Sequence, residues 1–328
     1  MRTDVMLYGD NTEFRNPFRE GETIFGAAVR PVLEIAVNPR VTVTLGALGN
    51  QRFGGDDAFE LVRPVVSVSF GGSRSAFLIG TLPGPPPTLF KGPDRAGLHG
   101  LLPPLQRETL TFERPYEAGM LWTVTASRLQ HAAWINWQRL NTPEHRERFD
   151  TGIAGEVRLR NGLALPFQLH VVHEGGQQFA TGPVADSAAA AAGIMVTGAL
   201  RAIGEASLEA YALVSHHVPD RELEQRTTNG AGFFGRAAAT KNAWRGHLLF
   251  WRGNDFIKDE GDPNYLSIRR NGTRYRRTRD YAEAGVSRVF NPGGGVAFEA
   301  SGRVHRVEGH YEYSYRVLCV ARLRWQVR

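Results

Sequence analysis

The sequence predicts an all-β chain: a closed antiparallel transmembrane β-barrel of about sixteen strands, with fourteen or eighteen as the neighbouring counts. Three observations predict it. Segments of alternating apolar and polar residues recur along all 328 residues. Short turns and longer polar loops alternate between those segments. No apolar run reaches the roughly 18 residues that a membrane helix needs, whereas a tilted barrel strand needs only about 9–11. A chain that shows lipid one strand face and water the other has a negative mean hydropathy, as this one does.

The last segment, residues 311–328, alternates most clearly. Tyr311, Tyr313, Tyr315, Val317, Cys319, Ala321, Leu323, Trp325 and Val327 fall on one face of a strand, and Glu312, Arg316, Arg322 and Arg324 on the other. Tyrosines at one end of the apolar face and Trp325 at the other form the aromatic girdle of a lipid-facing strand.

From the N-terminus, residues 2–9 place Val5 and Leu7 opposite Asp4, Met6 and Tyr8, a short first strand. Residues 10–22 read as a loop. Residues 23–37 follow, apolar at Phe25, Ala27, Val29, Leu33 and Ile35, with Arg30 and Glu34 on the other face. Asn38-Pro39 turns the chain into residues 40–49. A Gly-Asp loop at 50–57 leads to residues 58–70, and the turn at 71–74 leads to 75–82. Residues 83–115 break the pattern with eight prolines. The alternation resumes at Tyr116, turns at Ser127-Arg128 and returns through 129–139. Residues 151–160 and 163–173 flank Asn161-Gly162, a strong hairpin signal. Further pairs are 187–200 with 205–215, 230–240 with 243–253, and 281–290 with 296–307; residues 254–280 form the second long loop. Seven short turns and eight loops then join the strands. This is the asymmetry of short periplasmic turns and long extracellular loops, with both chain ends on the periplasmic side.

The formal charge is +6, almost all of it arginine. Composition bias accounts for that, and so does recognition of anions by guanidinium groups. The inward positions put Arg30, Arg63, Arg303 and Arg316 near mid-strand and Arg158, Arg245 and Arg322 nearer the periplasmic end. Their acidic counterparts are Glu34, Glu117, Glu156, Glu209, Glu283 and Glu299. As a pore wall, the excess arginine favours anions; paired off, the same groups fill the lumen. The single Cys319 excludes an intrachain disulfide and a Cys-rich metal site. No apolar targeting segment follows Met1.

Sixteen strands, the long third loop at 83–115 and Trp325 close to the C-terminus resemble the architecture of bacterial general porins across the whole chain, without a family-specific motif. Three residues follow Trp325, unlike the terminal aromatic of that architecture. The resemblance implies a single barrel domain over residues 1–328 whose third loop folds inward as a constriction. Asp94, Arg95, Arg107, Glu108 and Glu113 would stand there. It also implies a bacterial outer-membrane location, contact with lipid and lipopolysaccharide, and assembly into a homo-oligomer.

Other constellations carry less. The arginines at 269, 270, 274, 276, 277 and 279, with Tyr275 among them, read as a solvated extracellular loop or as a contact with lipid phosphate rather than with nucleic acid. Asp255, Asp259, Glu260 and Asp262 are hard oxygen ligands, but their spacing fits no EF-hand, so no metal or cofactor is expected. No Gly-x-Ser-x-Gly or His-Glu-x-x-His occurs, and Ser127 near His131 sits in a turn. The expectation is therefore a porin-like channel for small hydrophilic solutes with weak anion preference, and not an enzyme. The alternatives are a barrel enzyme of lipase or protease type and a soluble all-β binding protein.

Overall fold

The computed structural model describes residues 1–55, 59–84 and 98–325. The strands are β1 (Arg2–Glu13), β2 (Glu22–Asn38), β3 (Val41–Arg52), β4 (Leu61–Gly71), β5 (Ser75–Thr81), β6 (Ala118–Thr125), β7 (Leu129–Arg139) and β8 (Glu147–Arg160). They continue as β9 (Leu163–Gly175), β10 (Ala185–Leu200), β11 (Gly204–Val218), β12 (Thr228–Lys241), β13 (Trp244–Asn254), β14 (Arg279–Gly293), β15 (Val296–Val307) and β16 (His310–Arg324). Each pairs antiparallel with the next, and β1 pairs with β16 to close a 16-strand barrel. The closing register runs from Arg2 opposite Arg324 to Glu13 opposite Tyr313. The hairpin at Asn161-Gly162 forms as expected, with Gly162 at φ +75°, where an L side chain is strained.

The two faces separate as the alternation requires. Tyr311, Tyr313 and Tyr315 are 77%, 56% and 54% exposed and point outward near the loop rim. Trp325, Phe70, Phe77, Trp122, Trp244 and Phe290 form an outward aromatic ring near the turn rim. Between them stand exposed Val29, Leu165, Leu208, Leu248 and Val304. In water every Å² of that apolar belt would cost about 25 cal/mol, so its solvent is the hydrocarbon of a bilayer.

The first strand is longer than its alternation suggests. It runs on through Asp10, Asn11 and Thr12, all buried. These polar residues read as loop in sequence because their partners lie on neighbouring strands: Asp10 pairs with Arg316 of β16 on the inner face, Thr12 bonds Glu22, and Asn11, on the other face, is held by Thr23 of β2 and by Glu13.

Three loops turn inward. Leu101, Leu102 and Leu105 are buried with Trp134, Phe234 and Trp251 in one apolar cluster. The one-turn helix α1 (Leu110–Glu113) stacks Phe112 on Tyr8 of β1 at 4.7 Å. From the second long loop, Phe256, Tyr265 and Leu266 join the same cluster. Trp251 Nε1 donates to Tyr265 O at 3.0 Å, and Asp262 N donates to Pro103 O at 2.9 Å, which ties the two long loops together. Asn16 in the first loop holds Glu312 of β16 at 2.6 Å. The loop-rim half of the lumen is thus a packed interior.

A lipid-facing charge should be the most damaging surface change. Leu248→Arg on β13 is expected to destabilise the barrel by about 2–4 kcal/mol. A shifted denaturant midpoint of the heat-modifiable band checks this.

Candidate active site

Inward positions on β14, β15 and β16 bring one group of side chains together. Tyr281 and Glu283 stand two residues apart on β14, His305 stands opposite Glu283 on β15, and Ser314 is on β16. The Tyr281 hydroxyl donates to Glu283 Oε2 and lies 2.7 Å from His305 Nδ1. Its oxygen therefore accepts from Nδ1–H, while Glu283 Oε2 sits 3.3 Å from the same nitrogen. That fixes the tautomer: Nε2 is left with its lone pair and accepts from the Ser314 hydroxyl at 2.8 Å. A hydroxyl, a base and an orienting carboxylate in this relation form a nucleophile triad. His247 of β13 steadies the other Glu283 oxygen at 2.6 Å.

Cations surround the triad. Arg303 is in register opposite Ser314 and 3.7 Å from Glu283. Glu108, from the third loop, meets Arg303 and Arg316 at 3.0 Å each, and Arg316 also pairs with Asp10. Burial by itself would push the Glu108 carboxyl up, but Arg303 and Arg316 win and hold it below the ordinary carboxylate value. A cavity of about 50 Å³, bounded among others by Asp10, Glu108, Tyr265, His305 and Ser314, lies beside these groups. It has room for about one or two waters.

The residues expected in a pore wall face inward but are occupied. Arg30 donates to Leu82 O at 2.9 Å, Glu34 pairs with Arg2 at 2.5 Å, Arg158 with Glu156 at 3.0 Å and Arg322 with Asp4 at 2.8 Å. Arg63 is the third residue of β4, close to its loop-side end rather than mid-strand. Glu117 pairs with His99 at 3.1 Å. Of the constriction residues, Glu108 reaches the Arg303–Arg316 pair and Arg107 pairs with Glu113, while Asp94 and Arg95 lie outside the described residues.

The acidic run separates. Asp255 goes to Arg274, Asp259 to His217 and Asp262 to Arg19, and Glu260 turns towards His170. Arg279 leaves the basic run: its side chain is fully buried and its guanidinium lies 3.3 Å from the Phe18 ring centroid. His131, four residues after Ser127 in sequence, stands on the outer face against Trp122. The triad escaped motif reading because its members come from three strands. Inward parity on consecutive strands was the available signal.

Residues 1–327 match the model of the lipid A 3'-O-deacylase-type family. The chain belongs to that family. Membership corrects the expectation that the protein is not an enzyme. Strand alternation reports what a wall faces, not what its inward side chains do, so it could not separate a hydrolytic barrel of this family from a channel.

The fold has wide company. A loop-deletion form of OmpT, an outer membrane protein of Vibrio cholerae, is 8% identical over 98% of this chain and 99% of its own, with a TM-score of 0.57. OccK8 (OprE) of Pseudomonas aeruginosa is 12% identical over 98% and 97%, at 0.55. The anion-selective porin from Comamonas acidovorans is 10% identical over 98% and 99%, at 0.54. At such identities the likeness is one of fold, a porin-like barrel that this deacylase-type chain shares. No curated protein matches the sequence.

The Glu108 clasp gives a pH prediction. Its folded pKa lies below the unfolded value of about 4.3, so its stabilisation is fully present above that value and fades as pH falls through the lowered one. Glu108→Gln should cost about 1–3 kcal/mol at pH 7. Denaturant midpoints of the two proteins should converge once acid has protonated Glu108.

Proposed function

We propose that the chain is an outer-membrane ester hydrolase of the lipid A deacylase type, working inside the loop-rim half of its barrel. The observation that carries this reading is the 2.8 Å contact between Ser314 Oγ and a His305 whose other nitrogen is held by Tyr281 and Glu283. Family membership supplies the substrate class: an acyl chain esterified to a phosphorylated sugar lipid.

Ser314 Oγ attacks the ester carbonyl carbon while His305 Nε2 takes its proton. Collapse of the tetrahedral adduct breaks the bond to the sugar oxygen, which leaves with the proton from His305. A water then attacks the acyl-serine, again giving its proton to Nε2. Fatty acid departs and Ser314 regains its hydrogen. Glu283 balances the imidazolium in each half-reaction. Arg303, opposite Ser314, faces the negative charge that builds on the carbonyl oxygen.

The headgroup has a counterpart at the loop rim. Arg276 and Arg277 are exposed there, and neither pairs with a carboxylate among the described residues. Guanidinium groups match phosphate oxygens in geometry and charge. The barrel would sit with this rim towards the lipopolysaccharide leaflet.

A weakly anion-selective diffusion channel is the second reading. Its support is the exposure of Glu34, Arg158 and Arg322 in the turn-rim half, where each stands in an ion pair. The packed loops in the other half favour the hydrolase.

A fluorophosphonate probe should label the wild type covalently on Ser314. Ser314→Ala should remove the label and lower ester turnover by about 10³-fold or more. Turnover that survives Ser314→Ala would move the nucleophile elsewhere. Arg276→Ala with Arg277→Ala should raise KM for a phosphorylated glycolipid and leave kcat nearly unchanged. An equal fall in kcat would remove these arginines from headgroup binding.

A further inference from the structure

A second constellation lies elsewhere on the inner wall, on β8 and β9, and the hydrolytic reading does not use it. Asp150 of β8, His170 of β9 and Glu260 of the second long loop converge on one point. His170 Nε2 is 3.4 Å from Asp150 Oδ2 and 3.9 Å from Glu260 Oε2, and all three ligand atoms lie within 4.8 Å of one another. Their side chains are 0%, 1% and 4% exposed for His170, Asp150 and Glu260.

The hydrogen bonds around the point are arranged outward from it. His170 Nδ1 lies 3.2 Å from the Leu105 carbonyl, so Nδ1 carries the proton and Nε2 turns a lone pair on two carboxylate oxygens. Asp150 Oδ1 is held by Asn136 at 2.7 Å and Gln138 at 2.8 Å, and Trp134 Nε1 reaches Oδ2 at 2.9 Å. Glu260 Oε1 takes Arg114 at 2.6 Å and Gln138 at 2.9 Å, with Arg148 at 3.6 Å. Lys258 turns its ammonium to the Asp259 carbonyl. Glu260 Oε2 is buried and has no hydrogen-bond partner among the described residues. Three electron-rich atoms therefore face one another in a buried interior, an arrangement that a cation between them would stabilise.

We propose that Asp150, His170 and Glu260 bind one divalent transition-metal ion of the zinc class. One imidazole and two carboxylates suit that class better than calcium, which prefers oxygen alone. Tetrahedral bonds of about 2.0–2.2 Å set ligand atoms roughly 3.3–3.6 Å apart, and the observed 3.4 and 3.9 Å need only small shifts. The partners of His170, Asp150 and Glu260 are the outer groups that fix metal ligands in place. Because Glu260 comes from the loop and its carbonyl accepts from Arg107 N at 2.7 Å, the ion would pin both inward-folded loops to the wall. The competing occupant is a proton on Nε2, which would make His170 and Asp150 an ordinary ion pair.

The full chain in detergent, stripped with a chelator, is titrated with ZnCl₂ by calorimetry and with CoCl₂ by visible absorption. The expected result is one equivalent of zinc, the intense cobalt bands of a tetrahedral site, and a raised unfolding temperature with metal. Glu260→Gln should weaken zinc by at least about tenfold, His170→Gln should abolish the equivalent, and His99→Ala, which changes the neighbouring pair, should leave it. No stoichiometric zinc or cobalt, or an equivalent that survives Glu260→Gln and His170→Gln unchanged, overturns the site. Glu260→Gln alters a loop residue, and the cobalt spectrum is read on wild type, so a misfolded His170→Gln leaves the test decisive. The readout is binding, so its failure is distinct from failure of the Ser314 reading.

Discussion

The ladder between β1 and β16 is the constraint from which the rest follows. A sheet with an open edge would leave N–H and C=O groups in hydrocarbon, where each costs several kcal/mol. Closure satisfies them, and it also divides the side chains. Across the apolar belt every second residue faces lipid, so most of the charged residues of the strands are directed inward. A narrow lumen then has to pair those charges. Asp10 with Arg316, Glu209 with Arg236 and Asp4 with Arg322 are the outcome.

The loops complete that pairing. Glu108 reaches from the third loop to two wall arginines more than 190 residues away in sequence, and Glu260 reaches from the second long loop to Arg114 and towards His170. Leu101, Leu105, Phe256 and Tyr265 anchor these loops by burial rather than by charge. The triad of Ser314, His305 and Glu283 sits under this cover, where low dielectric strengthens each of its hydrogen bonds. A porin-like wall becomes a candidate hydrolytic interior without any change in strand order.

Strand number, closure and the outward set were legible because period two is a local signal. The tyrosines at 311, 313 and 315 and Trp325 needed only alternation to be placed. The end of β1 was not legible: Asp10, Asn11 and Thr12 look like loop until their partners Arg316 on β16 and Thr23 and Glu22 on β2 are known. Arg30, Arg303 and Arg316 could be read as inward but not as occupied, since their partners are 52, 195 and 208 residues distant. The proposed catalytic group was hidden for the same reason. No short motif can hold a histidine on one strand, its carboxylate on the preceding one and its serine on the next. The apolar residues inside both long loops were the overlooked clue that those loops fold inward.

Under the proposed function, this barrel cleaves an ester of a lipid A-type glycolipid in its own lumen. Mass spectrometry of purified lipid A incubated with the detergent-solubilised protein tests it most directly. The expected result is a product lighter by one acyl chain, free fatty acid in equal amount, and neither with Ser314→Ala. Unchanged lipid A, together with stable ion conductance of the same preparation in a planar bilayer, would contradict it.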